Sequence, residues 1–208
     1  MANDNAANYM SQTPPKDEFK IRLAVEALPA VMEKFDFEKL QEIADIIDEA
    51  NNVFVVGRGR SRQTAMNFGE RLGQIGKNAF VVGMPTTPSI KKGDVLVVSS
   101  GSGNTATLVD FAITAEEVGA KVVLLTTNKD AQVGKHATAV FLVSQVDRNN
   151  KPGGPYAGTS GADAEIYKQI YAYYDYPTNL ALDAIATYIM MKNGLSREEV
   201  AANKANLF

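Results

Sequence analysis

Seven residues, Ser99-Ser-Gly-Ser-Gly-Asn-Thr105, gather three serines, one threonine and two glycines between an apolar run and a helical pattern. Hydroxyls donate to anionic oxygens, glycines let the backbone come close, and the helix that follows contributes its positive end. These are the ingredients of a phosphate cradle without a lysine. A plain turn with a helix N-cap needs one hydroxyl, whereas four are present. A second loop, Gly57-Arg-Gly-Arg-Ser61, also lies between an apolar run and a helical pattern. A dinucleotide fingerprint would need Gly at position 62, where Arg62 stands, so that reading is weak. Arg58, Arg60 and Arg62 oppose the dipole of the helix they open, at a cost of about 0.3–1 kcal/mol each when exposed. An anion or an acidic neighbour would offset it.

The rest of the composition narrows the chemistry. The chain of 208 residues contains no Cys and a single His, His136. Disulfides, Cys-ligated metals and thiol nucleophiles are excluded, and one chain cannot build a multi-His metal site. Neither a metal nor another cofactor is expected. The net charge of −3 removes the main electrostatic reason to expect nucleic-acid binding. No apolar run approaches the roughly 18 residues of a membrane span, and no charged-then-apolar leader opens the sequence. A cytoplasmic protein without a membrane partner is the expectation.

These loops must be positioned by a scaffold, and the scaffold shows as repetition. Residues 1–16 lack an apolar period and read as a disordered tail, leaving 17–208 as one domain. Two helical patterns follow, one through Phe19, Leu23 and Val31 with a kink at Pro29, the other through Phe37, Leu40, Ile43 and Ile47. Five short apolar runs come next: Val53–Val56, Ala79–Val82, Asp94–Val98, Lys121–Leu125 and Ala139–Val143. Helical patterns separate several of them, through Ala65–Ile75 and Leu108–Ala115. Continuous apolar runs of this length are strands covered on both faces, hence a doubly wound α/β domain with a five-stranded parallel sheet. Residues 144–164 read as a long loop. A helix from about Ala164, interrupted at Pro177, runs to Lys192, and a capping box at Ser196 and Glu199 opens a last short helix.

With Gly83-Met-Pro-Thr-Thr-Pro88, Lys92-Gly-Asp94 and the terminal Ala205-Asn206-Leu207, the two loops resemble the sugar isomerase (SIS) domain. More narrowly, the chain is similar to the 6-phospho-3-hexuloisomerase family, from about residue 20 onward. The resemblance implies a flavodoxin-like fold, a sugar-phosphate ligand, no cofactor, and a homo-oligomer (dimer or tetramer) with sites near subunit contacts. It implies that Ser100, Ser102 and Thr105 hold the phosphate with the amides around Gly103 and Asn104. Arg60 and Ser61 would face the sugar hydroxyls, with Thr87 nearby. The family's Glu falls at Asp175, counted back from Leu182-Asp-Ala-Ile185, and its His falls at Lys204. A shifted register would make Glu165 the carboxylate.

Shifting a carbonyl between adjacent carbons of a ketose phosphate needs a base for the α-proton and a group that polarises the carbonyl oxygen. Asp175 can be the base and Lys204, an ammonium at neutral pH, the electrophile. Asp175-Tyr-Pro177 also reads as a turn, and an exposed terminal lysine is ordinarily only solvated. The same sequence therefore supports a second reading, a phosphosugar-binding SIS protein without turnover that acts as a sensor or partner. Tyr167, Tyr171 and Tyr174 share one helical face, suited to core packing, a subunit contact or a sugar-stacking wall. His136 is expected to be exposed and without a role.

Overall fold

A computed structural model describes residues 28–144 and 173–206. The expectations for residues 1–16, for most of the first helical pattern, for the 144–164 loop and for Glu165, Tyr167 and Tyr171 lie outside the described residues.

The sheet is parallel and five-stranded: β1 (Val53–Gly57), β2 (Ala79–Val81), β3 (Val95–Ser99), β4 (Lys121–Thr126) and β5 (Ala139–Leu142), in the order β2-β1-β3-β4-β5. The expected α/β architecture is the one observed. Side chains alternate between the faces with the period of two that a strand imposes. Val53, Val55, Val95, Val97, Val123, Leu125 and Phe141 point to one face, where they meet helices α1 (Phe37–Asp48), α2 (Arg60–Gln74) and α4 (Tyr176–Lys192). Phe54, Val56, Leu96, Val98, Val122 and Leu124 point to the other, under α3 (Ala106–Glu117) and the 3₁₀ turn Val133–His136. Covering both faces is why the central strands β1, β3 and β4 read as nearly unbroken apolar runs. On α4 alone, Leu182, Ile185 and Ile189 are essentially fully buried, each side chain contributing about 1.5–3 kcal/mol.

α4 begins at Tyr176 with Pro177 in its first turn, and the helical stretch expected from about Ala164 up to residue 172 lies outside the described residues. Residues 173–175 are π-helical and lead into α4. Proline is tolerated in a first turn, where it gives up an amide that has no intrahelical partner there. Asp175 accordingly has helical dihedrals and is not in a turn. The capping box of α5 (Arg197–Ala202) forms as read, with Ser196 Oγ accepting from the Glu199 amide and the Glu199 carboxylate accepting from the Ser196 amide.

Opposite the loops, where α1 and α4 end, the carboxylate of Asp48 collects Lys77 at 2.6 Å, Lys192 at 3.2 Å and the Asn193 side-chain amide at 2.8 Å. Desolvation raises its pKa, but these hydrogen bonds more than offset it, so the group titrates below the ordinary carboxylate range. A depressed folded-state value stabilises the fold at all pH above the unfolded value, about 3.9, and that stability is lost as pH falls through the folded value. Asp48→Asn should lower unfolding free energy at pH 7 by about 1–3 kcal/mol. Urea titrations from pH 7 down to 2 should show a flatter decline in the variant than in the wild type.

Candidate functional site

Strand order reverses between β1 and β3, since β1 leads outward to β2 and β3 leads the other way to β4. Connections therefore diverge at that point, leaving a crevice beyond the carboxyl ends of the two strands, where such sheets take their ligands. Both candidate loops open there, 58–59 after β1 and 100–105 after β3.

The second loop is a braced structure. Gly101 O accepts from the Thr127 amide at 3.1 Å and from the hydroxyls of Thr126 at 3.1 Å and Thr127 at 2.8 Å. Ser102 O accepts from the Asn128 side chain at 2.9 Å, and Asn104 Oδ1 accepts from the Gln132 amide at 2.9 Å. The segment after β4 thus holds the loop from behind. The serines divide the work. Ser100 is buried and its Oγ accepts from the Gly103 amide at 3.1 Å, so it shapes the turn. Ser102, half-buried, accepts from the Asn104 amide at a long 3.3 Å. Thr105 is the N-cap of α3, yet its side chain makes no capping hydrogen bond. Two glycines are obligatory. Gly103 has φ of 63°, and an added Cβ would stand 2.3 Å from Ala131 Cβ; at Gly57 a Cβ would meet the Ser61 carbonyl oxygen at 2.4 Å.

Three helices begin at this edge. α2 and α4 run side by side in the same direction, as three rungs show: Arg60 Nε to Asp175 Oδ2 at 2.7 Å, Asn179 Nδ2 to Thr64 Oγ1 at 3.3 Å, and Arg71 to Asp183 at 3.5 Å. α3 starts beside them after its loop. None of the three has an acidic residue in its first turn, whereas α1 and α5, which open elsewhere, do. At α2 and α3 the first-turn amides and positive dipole ends are therefore uncompensated, a field suited to an anion, whereas at α4 the Asp175 carboxylate stands at the N-cap.

Asp175 and Arg60 are brought together. Asp175 is buried, with Arg60 as an acidic neighbour's cation, and Arg60 itself stays half exposed. This pair was not legible in the sequence, where the two lie 115 residues apart. Tyr174 is buried one residue earlier and its hydroxyl shares a 2.8 Å hydrogen bond with Ser99 Oγ, tying α4 to the end of β3. Of the three uses open to the tyrosine face, Tyr174 thus serves as a core contact with a polar tip. Ser61 lies in the first turn of α2, half-buried. Thr87 is turned elsewhere: its hydroxyl donates to Val81 O at 2.7 Å, and the residue lines a shallow apolar groove with Phe54, Ile90, Leu96 and Phe111. Lys204 is exposed and remote. Its neighbour Asn203 donates to Gln74 O, at the last residue of α2, so the length of that helix, about 21 Å, separates Lys204 from Asp175 of the same chain. His136 pairs with Glu116 at 2.7 Å on a 3₁₀ turn, and is partly covered by it. Among the described residues no group of His, Asp and Glu gathers as a metal site, and no helix is long and apolar enough to cross a membrane.

A parallel 2-1-3-4-5 sheet with two loops meeting at its switch point defines an α/β domain of flavodoxin-like order. The SIS domain model matches residues 46–153, more than half of the chain, and the chain belongs to the SIS domain family. It is 32% identical over 170 residues to the 3-hexulose-6-phosphate isomerase of Bacillus subtilis, covering 82% of this chain and 87% of that one. Its fold is similar to that of a Methanococcus jannaschii protein whose structure was taken to infer 3-hexulose-6-phosphate isomerase function (TM-score 0.70, 22% identity, 91% and 99% of the two chains). It is also similar to Vibrio vulnificus NanR solved in complex with ManNAc-6P (TM-score 0.68, 20% identity, 95% and 70%). The resemblance read from the loops is thus met by the comparisons.

The loop geometry itself can be tested. Gly103→Ala combines a left-handed backbone with a blocked Cβ, and should cost about 2–4 kcal/mol of unfolding free energy. A shift of the urea midpoint at constant slope would measure it.

Proposed function

We propose that this chain is a phosphosugar isomerase interconverting a 3-hexulose 6-phosphate and fructose 6-phosphate. The observation that carries the reading is the placement of the buried Asp175 carboxylate at the same sheet edge as the Ser100–Thr105 loop. The phosphate binds that loop, with Ser102, Thr105 and the first-turn amides of α3 donating, while Ser100 and Gly103 hold its shape. Ser61 and Arg60 bear on the sugar side. Asp175 removes the proton from the carbon that carries the hydroxyl, next to the carbonyl. The carbonyl oxygen takes up a proton, giving an enediol. Loss of the proton from the other enediol hydroxyl and return of a proton to the former carbonyl carbon completes the shift, with atoms and charge conserved. Arg60 orients the carboxylate and is the cation that the same protomer supplies beside it.

Asp175→Asn should abolish turnover of fructose 6-phosphate while leaving its affinity within about threefold, since the phosphate is held elsewhere. A coupled assay and calorimetric titration on the same preparation would show both. If wild type binds the sugar phosphate tightly but does not turn it over, the sensor reading prevails. That reading is favoured by one observation, the remoteness of Lys204 from Asp175 within the chain.

Lys204 can serve as the electrophile only at a neighbour's site, which requires the homo-oligomer that the family resemblance implies. Sedimentation at micromolar concentration should show a dimer or tetramer, and Lys204→Met should lower kcat by about 10²–10⁴-fold without altering phosphate affinity. A monomer with full activity in Lys204→Met would remove that residue from the mechanism.

A further inference from the structure

Of the three arginines around the start of α2, Arg60 reaches the Asp175 carboxylate and Arg62 the Met84 sulfur. Arg58 turns the other way. Its Nε donates to Thr107 Oγ1 at 3.2 Å, across the crevice between β1 and β3 and onto the first turn of α3. Among the described residues no carboxylate pairs with Arg58, and its two terminal guanidinium nitrogens make no hydrogen bond. The side chain is exposed, yet it lies against the positive end of a helix that repels it. Solvent offers a long, flexible arginine many better positions than that, and a single long bond to a threonine hydroxyl is weak compensation.

The conflict disappears when an anion sits at the α3 amides. The fork of a guanidinium then faces two oxygens of the same phosphate that the helix start faces, and each contact is charge-assisted. On the phosphosugar reading given above, we infer that Arg58 is a phosphate ligand of this site, held in place by Thr107, and that it closes the cradle from the β1 side. It selects for a phosphomonoester dianion over an uncharged sugar, because an uncharged ligand would leave both the guanidinium and the helix end uncompensated. Thr107 is a positioning residue, acting only through Arg58.

Calorimetric titration of the full chain with fructose 6-phosphate, and separately with inorganic phosphate, tests the assignment. Arg58→Met should weaken both about 10- to 100-fold, the worth of one or two charge-assisted hydrogen bonds. Thr107→Val should weaken them less, and the double variant no more than Arg58→Met alone, because the hydroxyl has nothing left to position. Arg71→Met removes the same charge in the last turn of α2 and should leave both affinities within about twofold. Unchanged affinity in Arg58→Met, or an equal loss in Arg71→Met, overturns the assignment while the phosphosugar reading stands. Additive losses in the double variant remove Thr107 from it. A wild-type chain that takes up neither ligand overturns the phosphosugar reading and this assignment with it.

Discussion

Parallel strands that reverse their order of connection between β1 and β3 force the helices that follow those strands to start on either side of one crevice. The proposed site depends on that constraint. The N-termini of α2 and α3 lie there by topology, and α4 is brought alongside by packing on α2. The starts of α2 and α3 each bring unpaired amides and about half a positive charge. The sequence leaves that field bare by keeping acids out of both first turns. Such a field favours an anion at this crevice.

The exception is Asp175, whose carboxylate precedes α4 and is held by Arg60. Two contacts fix its position, the guanidinium on one side and the neighbouring Tyr174 hydroxyl on Ser99. Ser99 is the last residue of β3 and leads directly into the 100–105 loop, so the carboxylate and the loop share one rigid support. A buried carboxylate needs such a partner, since an unpaired one costs several kcal/mol to desolvate. The π-helical residues 173–175 lie at the same place. Wider turns of this kind recur at functional sites, and here the turn carries both the tyrosine and the aspartate.

The loop hydroxyls show how chemistry read from composition is redistributed by packing. All of Ser100, Ser102 and Thr105 look equivalent as donors to a phosphate. In the fold Ser100 is buried and bonded to the Gly103 amide, and the threonines after β4 occupy the Gly101 carbonyl. The residues that remain accessible are Ser102, Thr105 and the amides opening α3. Thr87, similarly, spends its hydroxyl on the Val81 carbonyl at the end of an edge strand, which a local motif cannot reveal.

The sequence alone determined the strands, the order of their alternation with helices, the two loops and the α5 capping box. These features rest on local periodicity, on turn residues and on interactions between residues three or four apart. Only the tertiary structure decided that Arg60 meets Asp175, that Tyr174 meets Ser99, that Arg58 crosses to Thr107, and that Lys204 is a helix length away from the carboxylate. Those contacts join residues separated by about 50 to over 100 positions, and no pattern within a helix or a strand encodes them. They follow from the direction in which each helix packs on the sheet, which is settled by burying two apolar faces at once.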